Sequence, residues 1–78
     1  MTLVLLNQLR TGQAGEVREL IGDDSICHRL LEMGVTPGTP LEVVRFAPLG
    51  DPIEIKVRNY NLVLRCHEAE SVRVELSK

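Results

Sequence analysis

Between Ile53 and Arg58 the chain alternates without a break: Ile53, Ile55 and Val57 are apolar, while Glu54, Lys56 and Arg58 are charged. A period of two puts the first set on one face of a strand and the second on the other. The closing segment repeats the pattern, with Val72, Val74 and Leu76 alternating with Arg73 and Glu75. Glu16 to Ile21, Leu41 to Phe46 and Leu62 to Arg65 read as further strands. One stretch has a longer period. From Asp23 to Met33, steps of ~100° gather Ile26, Cys27, Leu30, Leu31 and Met33 on one side and His28, Arg29 and Glu32 on the other, which predicts a helix. Asp23 or Asp24 suits its start, where a carboxylate accepts from unpaired N–H groups and meets the positive end of the dipole. Gly34 suits a left-handed cap at its end.

Breakers divide these elements at short intervals. Leu3 to Leu9 is a short opening segment, turned by Thr11-Gly12-Gln13; Gly15 can take a φ that other residues avoid. Thr36-Pro37-Gly38-Thr39 has the form of a type II turn, with proline presetting φ at the second position and glycine accepting positive φ at the third. Pro48-Leu49-Gly50-Asp51-Pro52 is a loop at a hairpin end, and Asn59-Tyr60-Asn61 a tight turn. His67 to Glu70 reads as a single helical turn. The expected architecture is mainly β: about five short strands closing into a small SH3-like barrel, with one α-helix packed over one end.

Length sharpens this picture. The 78 residues make one domain, 1–78, with one thin core. That core must be aliphatic, because the chain has one Phe, one Tyr and no Trp. The net charge is −2 and no run of Lys or Arg forms a basic stripe. Phosphate neutralisation and base stacking are both poorly supplied, which argues against a nucleic-acid partner. The start, Met1 to Leu6, is apolar for six residues but carries no basic flank or cleavage pattern of a secretory leader. No segment approaches the ~20 apolar residues of a membrane span. The expected location is the cytoplasm, where Cys27 and Cys66 would be free thiols.

Four fragments, in order along nearly the whole chain, form a familiar pattern: Gly12-x-x-Gly15-x-Val17, then Arg29-Leu30-x-x-Met33-Gly34-Val35-x-Pro37-Gly38, then Ala47-Pro48-x-Gly50-Asp51-Pro52-Ile53, then Leu64-Arg65-x-x-Glu68-Ala69. The sequence resembles the FeoA family, small cytoplasmic components of bacterial ferrous-iron transport. The resemblance implies an SH3-like barrel, in agreement with the alternation. It also implies a role beside FeoB, a membrane protein carrying a cytosolic GTP-binding domain, and it brings no catalytic residues. A similar module is appended to iron-dependent repressors of the DtxR type, where it serves protein contacts. Within the shared pattern, Arg29 and Arg65 are the residues least easily explained as core. Glu32 and Glu68 are the carboxylates closest to them in sequence.

Two Cys-His dipeptides, Cys27-His28 and Cys66-His67, contain the donors of a tetrahedral zinc or ferrous site. Adjacent residues point ~100° apart on a helix and to opposite faces of a strand, so both members of a dipeptide rarely reach one metal. Cys27 falls in the helix's apolar arc and reads as a packed thiol. We therefore expect no metal site and no cofactor. No Ser-His-Asp order and no phosphate-binding Gly-x4-Gly-Lys-Ser/Thr loop is present, so an enzyme is not expected and any GTP chemistry belongs to a partner. One Tyr and one Phe cannot build the aromatic groove that SH3 domains use for proline-rich peptides.

The function expected is therefore accessory. The chain would bind the cytosolic GTP-binding part of a FeoB-type transporter and be recruited by it to the inner face of the membrane, with no insertion of its own. The contact residues expected are Arg29, Met33, Val35 and Pro37 at the helix end and following turn, and Pro48 and Leu49 in the Ala47 to Pro52 loop. The alternative is a stand-alone regulatory module like the repressor tail, which without a helix-turn-helix cannot read DNA alone. A weaker third reading is self-association through a sheet edge or the Leu3 to Leu6 segment.

Overall fold

The structure is a computed structural model and describes residues 2–77. Met1, part of the apolar start, lies outside them. Strand β1 (Leu3–Leu5) leads through a 3₁₀ turn (Leu6–Gln8) to β2 (Ala14–Leu20). Helix α1 (Asp24–Glu32) follows, then β3 (Pro40–Phe46), β4 (Ile53–Val57) and β5 (Tyr60–Leu64). A one-turn helix, α2 (Cys66–Ala69), precedes β6 (Val72–Leu76). The strands form one antiparallel sheet in the order β1-β6-β2-β3-β4-β5.

The sequence pattern predicts about five strands, and the described residues form six. The addition is β1, a three-residue strand inside the opening segment, pairing Val4 with Val74. A run that short shows no alternation of its own; it is a strand because β6 offers it a ladder.

The sheet curls around its core at two bulges, between Val17 and Glu19 in β2 and between Val43 and Arg45 in β3. Between them Gly15 pairs with Leu41 on one side and Leu76 on the other. A Cβ there would stand 2.5 Å from the Glu75 carbonyl oxygen and 2.6 Å from Val74 Cγ1. Gly15 is thus required for close approach, and not for an unusual φ as the sequence suggested: it is absent from the positive-φ glycines. β1 and β5 end the ladder, and among the described residues they do not pair with each other. The curled sheet therefore remains open at one seam of hydrogen bonds among the described residues.

The core is aliphatic, as expected. Leu6, Val17, Leu30, Val43, Ile55 and Val74 are among the side chains with no exposure, drawn from both helix and sheet. Each contributes roughly 1.5–3 kcal/mol by burial. Phe46 packs partly against this cluster.

Asp23 caps α1, its Oδ1 accepting from the Ser25 and Ile26 N–H groups at 2.8 and 3.4 Å. The Ser25 hydroxyl bond to the same oxygen, with these backbone bonds, holds the Asp23 carboxyl below its ordinary pKa. The helix ends in a Schellman motif: the Val35 N–H donates to Leu30 and the Gly34 N–H to Leu31, both at 3.0 Å, with Gly34 at φ 96°. The buried stripe is narrower than the predicted arc. Leu30 is buried and Ile26, Cys27 and Met33 half-buried, but Leu31 is 43% exposed. The Thr36–Thr39 turn forms as predicted, with the Thr39 N–H on the Thr36 carbonyl at 3.0 Å and Gly38 at φ 91°. The β4–β5 turn does not. Val57 pairs with Tyr60, leaving Arg58-Asn59 as the loop, and Arg58 takes the left-handed conformation at φ 54°. Tyr60 and Asn61 are strand residues.

Candidate functional site

Two surfaces carry the residues singled out from the sequence. The first lies where α1 ends. Glu68, on α2, is the anchor: its side chain is 5% exposed and Oε2 accepts from Arg29 Nη1 at 2.9 Å. Its Oε1 accepts from the Arg65 N–H at 3.0 Å, capping the one-turn helix. The arginine pairing differs from the sequence-nearest choice. Arg29 bridges to Glu68 across the fold and not to Glu32, and the Arg65 guanidinium faces Asp51 at 3.9 Å. Sequence proximity misleads here because only the folded barrel brings Arg29 of α1 within reach of Glu68 on α2. The Tyr60 hydroxyl donates to the Met33 carbonyl at 2.7 Å, tying the β4–β5 hairpin to the end of α1.

Of the four contact residues expected here, Arg29 and Pro37 are exposed and Met33 is half-buried against the core. Val35 is a correction. It has no exposed surface and sits in the hydrophobic core. The residue following a Schellman glycine commonly packs back on the helix's last turn, and Val35 follows that rule. It cannot offer a side chain to a partner.

The second surface is the loop between β3 and β4. The Ala47 N–H donates to the Pro52 carbonyl at 2.9 Å and the Gly50 N–H to the Ala47 carbonyl at 2.7 Å, closing a compact turn. The Asp51–Pro52 peptide bond is cis. α2 holds this loop from below: the Cys66 N–H donates to Asp51 Oδ1 at 2.9 Å and the Cys66 thiol to the Gly50 carbonyl at 3.1 Å. Pro48 and Leu49 are both exposed, Leu49 at 96%. Beside them runs a groove of about 490 Å³ with Phe46, Ala47, Pro48, Pro52 and Val63 along it. Arg45 and Glu54 cross the groove as an ion pair at 2.7 Å. Hydrogen bonds from Asn61, and secondly from Arg45, hold the Glu54 carboxyl below its ordinary pKa.

Val63, 61% exposed in β5, is an apolar groove residue outside the expected contact set. Its signal is faint but legible: Leu62 and Leu64 alternate toward the core, so the apolar residue between them must face out.

The two Cys-His pairs are placed separately. The Cys27 thiol is directed at the Ile21 carbonyl at 3.4 Å, and the Cys66 thiol at that of Gly50. Burial pushes the Cys66 thiol up in pKa, and the Asp51 carboxylate beside it adds to the shift. His28 and His67 are exposed. Among the described residues no three His, Cys, Asp or Glu side chains converge as a metal-holding group. Among the described residues no helix is long and apolar enough to cross a membrane.

Fold and surfaces together define a small SH3-like β module whose buried polar groups hold loops in place and whose exposed loop carries apolar side chains. The chain belongs to the FeoA family: the FeoA domain model matches residues 4–76. It is 37% identical over 71 residues to an Fe(2+) transport protein A/Fe(2+) transporter FeoB fusion protein of Porphyromonas gingivalis, a match covering 91% of this chain and 8% of that protein. A FeoA-like protein from Clostridium acetobutylicum, solved by NMR, superposes with a TM-score of 0.90 at 31% identity, covering 97% of this chain and 90% of that one. Stenotrophomonas maltophilia FeoA superposes at 0.76 with 29% identity over 92% and 89% of the two chains. That protein was crystallised with zinc, described as an SH3 domain protein and put forward as an activating factor for ferrous iron transport. A manganese-dependent transcriptional repressor also superposes at 0.89, but at 18% identity it shares the fold alone. The family links this chain to ferrous iron transport.

Proposed function

We propose that this protein is an accessory subunit of ferrous-iron uptake that binds the cytosolic GTP-binding part of a FeoB-type transporter and acts at the inner face of the membrane. The observation that supports this most directly is the fusion: in the Porphyromonas protein a segment 37% identical to this chain is covalently part of a FeoB transporter. Such a fusion makes an intermolecular contact intramolecular, at an effective concentration of about millimolar for a short linker. A chain supplied separately needs a surface that finds the same partner.

The Ala47 to Pro52 loop is the better surface of the two. Leu49 is almost wholly exposed and Pro48 lines the groove beside it. At the helix end, Arg29 is engaged with Glu68 and the Met33 carbonyl with Tyr60, so those groups position the fold; Pro37 remains available at the rim. Iron is the transporter's cargo, and this chain contributes contact and regulation, not catalysis. Removing an apolar anchor from an interface centre typically costs about 2 kcal/mol or more. A pull-down of the transporter's soluble GTP-binding part should therefore fail with Leu49→Asp while thermal stability stays unchanged. Capture by Leu49→Asp as efficient as by the unaltered chain would rule out this loop as the anchor. The repressor-like alternative has the shared fold behind it and no further observation.

A further inference from the structure

β5 ends the sheet, and its outer edge is unpaired among the described residues. Which of its backbone groups face outward follows from the hairpin. Val57 and Tyr60 flank the two-residue loop and close the turn, so they exchange hydrogen bonds with each other. Bonded pairs alternate along an antiparallel ladder, so Leu62 and Leu64 likewise bond to Ile55 and Ile53. Asn61 and Val63 therefore each turn an N–H and a C=O to the free edge.

This edge lacks the usual protections. Exposed edges are normally blunted by shortness, by Lys or Pro, or by a bulge. The opposite edge, β1, is only three residues long. β5 has five residues, Tyr-Asn-Leu-Val-Leu, with no Lys or Pro and no register shift against β4. The apolar groove also opens onto it. Val63 pairs with Glu54 and Glu54 with Arg45, so the groove crosses the outer face of three strands from Arg45 to Val63. A strand laid along β5 would bring its own outward side chain beside Val63, at the groove's mouth.

We infer that the free edge of β5 is a strand-addition site: an extended segment of the transporter's cytosolic part, apolar at alternate positions, pairs with Asn61 and Val63 and seats a side chain in the groove beside Val63. This rests on the transporter reading and names its contact. Area favours such a segment over a second copy of this chain. Two five-residue edges laid together fall well short of the ~800 Å² per partner that stable interfaces bury. A flexible segment can fill ladder and groove at once, as in other β-augmentation complexes.

The test uses the full chain, isotope-labelled, titrated with the transporter's soluble GTP-binding part while amide exchange is followed residue by residue. The Asn61 and Val63 amides should slow by about tenfold or more on binding, since each gains a bonded partner. Val63→Pro removes one outward donor and leaves the bonds to β4 intact, and proline is tolerated at such edge positions. It should weaken binding by about tenfold, whereas Val63→Ala, which keeps the N–H, should weaken it by about threefold. Binding with Asn61 and Val63 exchange unchanged would overturn the edge and leave the transporter reading standing. No binding by the unaltered chain would overturn both. Protection of the two amides that rises with this chain's own concentration, without the transporter part, would replace the partner segment by a second copy. Should Val63→Pro fail to fold, the exchange data on the unaltered chain decide alone.

Discussion

The two ends of β5 meet different surroundings. At its start, the Tyr60 hydroxyl is bound to the Met33 carbonyl, and Gly34 packs so closely that a Cβ there would overlap that hydroxyl. Nearby, Glu68 is almost fully buried between Arg29 and the Arg65 N–H. Toward its other end, Val63 is 61% exposed beside a groove, across from a loop whose Leu49 touches almost nothing. One region has its polar groups satisfied internally; the other leaves apolar side chains and backbone groups uncovered. The first fixes where α1 and α2 stand, and the second is available to a partner. Substitutions in the helix region should therefore register mainly in stability, and those along the groove mainly in binding.

The largest effect on that contrast is expected from Gly34→Ala. A residue with a Cβ is disfavoured at φ 96° by about 1–2 kcal/mol, and this Cβ also displaces the Tyr60 hydroxyl. We expect a loss of about 2–3 kcal/mol, which for a domain of this size lowers Tm by roughly 10 °C or more. The clash can be separated from the backbone strain. With the hydroxyl gone, the nearest Tyr60 atom to the new Cβ is Cζ at 3.4 Å, so Gly34→Ala combined with Tyr60→Phe should lose less than the sum of the single changes. Additive losses would show that the hydroxyl does not seal this corner.

Glu68→Ala comes next. It leaves the Arg65 N–H without its capping acceptor, while Arg29, 67% exposed, simply returns to water. The loss should be about 1–2 kcal/mol by denaturant unfolding, most of it from the orphaned donor and little from the ion pair. Arg29→Ala should therefore cost less than Glu68→Ala. The reverse order would mean that the pairing charge, not the cap, holds α2.

How legible each region was follows from the same contrast. Local rules foresaw the strand alternation of Ile53 to Val57, the Gly34 cap and the Thr36 to Thr39 turn, because each depends on residues within a few positions of one another. The SH3-like class came through for that reason. The Arg29–Glu68 bridge, the pairing of β1 with β6 and the Tyr60–Met33 bond join residues far apart in the chain. No periodicity marks them. Arg58 misled the turn assignment because Asn59 is the better left-handed residue by type, yet the pairing of Val57 with Tyr60 decided which position took positive φ. Exposure within the candidate surface was partly legible. Leu49 sits between turn residues and had to stand out, whereas Val35 looked like a loop residue until the Schellman turn folded it inward.

The smallest effect, and the one that separates the two ends of a single strand, is expected from Tyr60→Phe. The hydroxyl bond to the Met33 carbonyl spans residues 27 positions apart, but Tyr60 is 40% exposed, so water can replace the lost donor at that carbonyl. The global loss should then stay near the lower end of a hydrogen bond's net worth, about 0.5 kcal/mol. Local consequences should be larger than that figure suggests. The Gly34 and Val35 amides, which close the end of α1 on Leu31 and Leu30, lose the hairpin that braces them and should exchange faster. Asn61 and Val63, on the same strand, should exchange as before, since their environment is set by the ladder to β4 and by solvent. If their exchange also quickens, β5 moves as one piece and the helix-side tie governs the groove as well. In that case a partner bound at the groove would feel the position of α1, and the division between a fixed region and an available one would become a coupling between them.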